Sequence, residues 1–246
     1  MCLKIVEALH QTNLVNSTCR IFLFLGIVAV FCASAFAKDD ANAFKWLSKD
    51  QELALSSSVP PPPAPNSTED QADLAKILEV QKSRTPEMIA ESKADQGFSY
   101  NLFQSVYGKD LTPENSPKFF QLMKNVLATT QQVNVTAKDK YRRLRPYLGH
   151  PDVVHSLFTV GGFSYPSGHS MGSFALATVL GAVFPDKKQA FLDRAAQIAQ
   201  SRVDAGVHYP SDIKEGEVLG KATGEAILAN SAFQADLAEV QAELKK

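Results

Sequence analysis

Cysteine occurs only at positions 2, 19 and 32 of this 246-residue chain. Beyond residue 32 there is no disulfide, no thiolate nucleophile and no thiolate metal site to invoke, so the chain must build its own core. Strand signals are nearly absent and no internal repeat occurs, which leaves helices as the building material. An excess of one charge is missing too. Without Lys4, Arg20 and Glu7, the 25 basic and 26 acidic residues become 23 and 25, a formal charge of −2. That balance speaks against nucleic acid or an anionic membrane as partner. No apolar run reaches the roughly 20 residues of a comfortable membrane span; the longest are residues 21–37 and 170–184.

Residues 21–37, IFLFLGIVAVFCASAFA, are uncharged, follow Arg20 and end in the small-x-small triplet Ala35-Phe36-Ala37. They predict an export signal cut after Ala37 and a periplasmic protein, with no membrane attachment after signal removal. Cys32 follows Phe31, where a lipoprotein signal wants a small residue. The n-region of 20 residues is long and contains Glu7. The 209 residues that remain suit one domain.

For residues 38–59 a short helix and an extended arm are both open. Pro60 to Pro63, with Pro65, force extended backbone, so residues 38–66 are expected as a Pro-rich arm ahead of a helical domain over 67–246. Ser67 with Asp70 resembles a capping box, and Leu74, Ile77 and Leu78 continue at helical spacing. Pro86 opens a helix ending near Gly97. Phe98, Leu102, Phe103 and Val106 read as one helical face stopped by Gly108. Thr112-Pro113-Glu114 reads as the cap of the next helix, with Phe119, Phe120, Met123, Val126 and Leu127 as its core stripe. Continuing or restarting, that helix is expected to run through Leu144. Residues 170–184 suit a central buried helix, 186–202 an amphipathic one, and 213–246 one or two more, interrupted near Asn230-Ser231. The expected class is all-α, a single-domain helical bundle.

Three stretches carry chemistry. Lys138 and Arg145 are two helical turns apart, and on a continuous helix they share a face. An ammonium and a guanidinium side by side repel unless an anion lies between them. Lys140, Arg142 and Arg143 are expected as a solvated basic face. Ser167, Gly168 and His169 follow Pro166 and open the buried helix, where unpaired amides, a hydroxyl and a glycine suit an oxyanion; alone, this is no more than a turn with a cap. His208 and Asp212, four apart, allow the carboxylate to hold one ring nitrogen and leave the other as nucleophile or base. Arg202 adds a second guanidinium. His150 and His155 are expected in loops.

Lys138, Arg145 and Pro146; Pro166, Ser167, Gly168 and His169; Ser201, Arg202, His208 and Asp212 together resemble the signature of the type 2 phosphatidic acid phosphatase and vanadium haloperoxidase superfamily. The P-P-P-P segment and the G-F-S-Y-P-S-G-H context are similar to the bacterial class A non-specific acid phosphatases. The resemblance implies that His208 is the nucleophile of a phosphohistidine route, oriented by Asp212, with His169 protonating the leaving alcohol and then activating water. It implies that Lys138, Arg145, Ser167, Gly168 and Arg202 hold the phosphoryl oxygens, without metal or other cofactor. Expected substrates are nucleotides, sugar phosphates and aryl phosphates, with transfer to alcohols as a side activity. A lipid phosphate or pyrophosphate phosphatase, a vanadate-dependent haloperoxidase and a non-enzymatic periplasmic phosphate-binding protein are the alternatives. Oligomeric state stays open, a homo-oligomer included.

Overall fold

The computed structural model describes residues 46–245, so the expected signal segment lies outside the described residues. Trp46 sets the entry of the chain: it is buried and stands edge-on to Phe233 at 5.1 Å. Ser48 then caps helix α1 (Lys49–Ser58), with a reciprocal capping box to Gln51. Two side chains dock α1 on the later helix α5 (Pro117–Tyr141). Buried Glu52 accepts from the Thr136 hydroxyl at 2.5 Å, and the Ser56 hydroxyl donates to the Val133 carbonyl at 3.0 Å. Of the two readings open for residues 38–59, the described part is thus largely helix. The prolines follow at once, pinned where Tyr141 and Tyr165 donate to the Val59 and Pro60 carbonyls.

Helix α2 (Thr68–Ser83) starts at Ser67, whose hydroxyl accepts from the Asp70 amide. The reciprocal half of the expected box is absent: Asp70 accepts from the Asn66 amide instead. Helix α3 (Pro86–Ala94) is capped by Thr85. The expected single helical face from Phe98 to Tyr107 is a 3₁₀ turn, Tyr100–Phe103, running into the short helix α4 (Gln104–Tyr107), and Phe98 stands outside both. Gly108, at φ 112°, ends the turn.

Thr112 does not cap the next helix. Its amide and hydroxyl are tied to Asn115 in a separate turn, and α5 begins at Pro117. Its Phe119 and Phe120 join Tyr107 and Phe184 edge-to-face, with Phe191 tilted against Phe184, in an aromatic cluster, the expected core. The helix also stops earlier than expected, at Arg142 in the left-handed region (φ 48°). Arg145, before Pro146, is extended, because the proline ring disfavours helical backbone in the residue ahead of it.

After α6 (Pro146–Gly149) and a long loop comes α7 (Gly168–Val183), buried almost all round. A 3₁₀ turn leads to α8 (Lys188–Asp204), then α9 (Pro210–Leu228) and, capped by Asn230, α10 (Ser231–Glu243). Helix α7 is the hub, packed by α5, α8 and α9. Helix α9 comes unusually close because Gly216, Gly220 and Gly224 recur every four residues along one face. A Cβ at Gly220 would stand 2.3 Å from the Met171 carbonyl oxygen, and one at Gly216 2.7 Å from that of Ser167. This approach brings two sequence motifs together: the Ser167 amide donates to the Asp212 carbonyl at 2.9 Å. Among the described residues there is no strand, and no helix is long and apolar enough to cross a membrane.

Candidate active site

Lys138, Arg145, Gly168, His169 and His208 line one cleft of about 450 Å³, with Phe98, Val135, Val160 and Phe163 forming much of its apolar wall. Ser167, Arg202 and Asp212, each fully buried, stand behind that lining. Lys138 and Arg145 reach the cleft by a different route from the shared helical face. Lys138 projects from the last turn of α5, while Arg145 arrives on the extended segment after it.

Arg145 is locked in place by backbone. Its guanidinium donates to the carbonyls of Gly161, Gly162 and Val207 at 2.9–3.0 Å, and Nη1 lies 3.1 Å from His208 Nε2. A guanidinium has donors only, so Nε2 must accept and Nδ1 must carry the proton. Nδ1 in turn faces Asp212 Oδ2 at 3.3 Å. The lone pair of the 2 %-exposed imidazole is therefore on the cleft side. His208 is not on a helix with Asp212: it lies in the link between α8 and α9, just before the capping Tyr209, and Asp212 is the third residue of α9. Asp212 Oδ2 also accepts from the Tyr209 amide at 2.8 Å and the Ser164 hydroxyl at 2.5 Å.

The site is electrostatically unbalanced. Lys138 donates to the Phe163 and Ser164 carbonyls, and burial with the neighbouring Arg145 pushes it down to about 7. Burial and Arg145 likewise bring Arg202 down to about 10. Arg202 gives one hydrogen bond, to the Asp95 carbonyl at 3.0 Å, and lies over the Phe158 ring, but its buried Nε and Nη2 have no partner. Burial, then Arg202 and Arg145, push His169 down to about 3, against its bond to the Gln96 carbonyl. Burial holds His208 well below the usual imidazole range, with Arg145 and Lys138 adding to the effect and Asp212 opposing it. Cations and orphaned donors crowded in a low-dielectric pocket favour an anion between them.

Four contributors escaped the sequence reading. Ser164 lies inside the quoted G-F-S-Y-P-S-G-H run, so position alone could have nominated it. Phe98 packs on His169 with centroids 5.0 Å apart. Arg143, expected on a solvated face, is instead half-buried: it pairs with Asp70 and Asp73 of α2 and with Asp212. The helix break at Arg142 turns it inward. Asp73 carries no local signal, being one acid among several on a polar helix. His150 and His155 lie in the loop after α6, outside the cleft lining. No group of three or more His, Cys, Asp or Glu side chains suited to a metal ion occurs among the described residues.

With these groups assembled, likeness to known proteins becomes informative. The PAP2 superfamily model matches residues 122–233, a span containing every cleft cation and both histidines. Over that span the chain is similar to the PAP2 superfamily. Among curated relatives, a non-specific acid phosphatase of Providencia stuartii is 26% identical over 243 residues, covering 89% of this chain and 98% of that one. A non-specific acid phosphatase of Salmonella typhimurium is 33% identical over 150 residues, 58% of this chain and 59% of its own length. A bacterial vanadium-dependent iodoperoxidase shares the PAP2 fold, with a TM-score of 0.60 at 19% identity, over 74% of this chain and 54% of that one.

Proposed function

We propose that the chain is an exported acid phosphatase that hydrolyses phosphate monoesters through a phosphohistidine on His208. The observation that carries this reading is the pair of orphaned Arg202 donors among cations that surround the free nitrogen of an oriented imidazole. In this reading Lys138, Arg145, Arg202, the Ser167 hydroxyl and the Gly168 amide hold the phosphoryl oxygens. As the anion enters, Arg145 passes its hydrogen bond from His208 Nε2 to a phosphoryl oxygen, which frees the lone pair. Nε2 then bonds to phosphorus while the bond to the ester oxygen breaks, and His169 delivers a proton to that oxygen. Water, deprotonated by His169, next attacks phosphorus and displaces His208 Nε2, releasing phosphate. The cations supply the charge neutralisation that phosphoryl transfer demands.

A phosphate dianion also resolves the His169 difficulty. The cations that depress this imidazole in the free protein are neutralised on binding, so its pKa rises when a proton is needed. The apolar walls of the cleft and the likeness to non-specific acid phosphatases support small phosphomonoesters such as nucleotides, sugar phosphates and aryl phosphates. The run 21–37 supports removal of residues 1–37 on export to the periplasm.

The test is hydrolysis of para-nitrophenyl phosphate at pH 5–7 with EDTA, comparing the mature protein with His208→Ala. Metal-independent turnover lost in the variant is expected, and equal activity would overturn the nucleophile assignment. Halide oxidation with added vanadate, in the absence of phosphatase turnover, would overturn the reaction class.

A further inference from the structure

Behind the nucleophile, on the side away from the cleft, lies a second charged cluster that the phosphate chemistry does not use. Asp212 Oδ2 is occupied by Tyr209, Ser164 and His208, leaving Oδ1 for another donor. Arg143 takes it, with Nη1 at 2.8 Å. The same nitrogen is 2.7 Å from the Ser211 hydroxyl, while Nη2 bridges Asp73 at 2.9 Å and Asp70 at 3.0 Å. Asp73 accepts from both the Ser211 amide and its hydroxyl. The guanidinium lies over Tyr209, its central carbon 3.9 Å from the ring centroid. The Arg143 carbonyl also accepts from the Ser164 amide at 2.8 Å, so the same residue sets the height of the hydroxyl that holds Asp212.

We infer that Arg143 is a positioning residue which, braced by Asp73 of α2, tempers the pull of Asp212 on His208 and so keeps the nucleophile unprotonated in acid. This rests on reading His208 as the nucleophile. A carboxylate facing only an imidazole raises its basicity, and an acid phosphatase with a protonated nucleophile cannot react. Sharing the carboxylate with a guanidinium lowers that pull, yet keeps Asp212 ionised and aimed. Asp73 works in the opposite sense, because it offsets the Arg143 charge. Burial is the largest single influence on Asp212 and favours its neutral form, but His208, Arg143 and Ser164 outweigh it and hold the carboxyl below its usual range.

The groups bearing on the pair come from every side. Lys138 faces it from α5, Arg143 and Arg145 from the segment after α5, and Tyr165 from the loop before α7. Tyr209 sits beside it, Asp70 and Asp73 approach from α2, and His169 and Arg202 lie across the cleft near Arg145. Of these, Arg143 is the one that forms ion pairs both with Asp212 and with the α2 carboxylates.

The experiment compares wild type with Arg143→Gln, Arg143→Lys and Asp73→Asn on three readouts. These are the NMR titration of His208 in ligand-free protein, the acid limb of kcat/KM for para-nitrophenyl phosphate, and inorganic phosphate affinity at pH 7.5. Arg143→Gln should move the His208 titration and the acid limb up by about one pH unit, as loss of one nearby like charge does. Asp73→Asn should move both down, and Arg143→Lys should recover most of the wild-type position. Phosphate affinity should stay within about three-fold throughout, since Arg143 is outside the anion cage. Shifts of the same sign in Arg143→Gln and Asp73→Asn, or no shift, would overturn the inference. So would phosphate affinity falling in step with turnover. If Arg143→Gln does not fold, the other two variants decide. A wild type without phosphatase turnover would sink the proposed function alone, because the NMR titration still reports the coupling.

Discussion

Replacing Arg202 by Met should make the ligand-free protein more stable while destroying its response to phosphate. Arg202 is 0 % exposed, keeps one hydrogen bond and leaves two donors unpaired. Its fall from the ordinary guanidinium range to about 10 corresponds to about 3 kcal/mol against the charged form, at about 1.4 kcal/mol per pH unit. Methionine removes that cost and fills a similar unbranched space against Phe158. It forfeits the bond to Asp95 and the cation–π contact, about 1 kcal/mol each. The net gain is about 1 kcal/mol, or roughly 2–4 °C in Tm for a chain of this size. Phosphate at one hundred times its Kd should stabilise the wild type by about 2.7 kcal/mol, and the variant far less. Calorimetric melting with and without phosphate measures both numbers. A variant that melts lower than wild type in phosphate-free buffer, or keeps the full phosphate response, would refute the view of Arg202 as a strained donor awaiting an anion.

Two further outcomes follow from the geometry. The folded-state pKa values of His208 and His169 lie below the unfolded value of about 6.5, so the unfolded chain binds these protons more readily. Phosphate-free stability is therefore highest above pH 6.5 and falls as pH drops below it, by at most about 1.4 kcal/mol per pH unit for each histidine; urea midpoints at pH 7, 6 and 5 should decline, more gently with phosphate present, and a flat series would count against the depressed imidazoles. Gly220→Ala places a methyl 2.3 Å from the Met171 carbonyl oxygen, so α9 must move away from α7. That should cost about 2–3 kcal/mol, seen as a Tm loss by circular dichroism, and an unchanged Tm would show that the two backbones are not in contact.

The sequence alone determined the class and most of the cleft. With cysteine and strand signals missing, helical periodicity was the remaining way to bury the apolar residues, and Phe119, Phe120 and Phe191 are core as their spacing implied. Lys138, Arg145, Gly168, His169 and His208 were legible because anion binding and imidazole chemistry restrict residue type at each position. What the sequence could not decide was how those residues meet. Lys138 and Arg145 converge because a left-handed Arg142 and the residue before a proline break the helix that was expected to carry both. The Gly216, Gly220 and Gly224 face becomes meaningful only once α7 lies against it. Arg143, Asp73 and Ser164 act across 48 to 139 positions of chain separation from Asp212, and Phe98 reaches His169 from another element. Local spacing reports which groups a segment can offer. Only tertiary packing desolvates a particular guanidinium and chooses the carboxylate it must share.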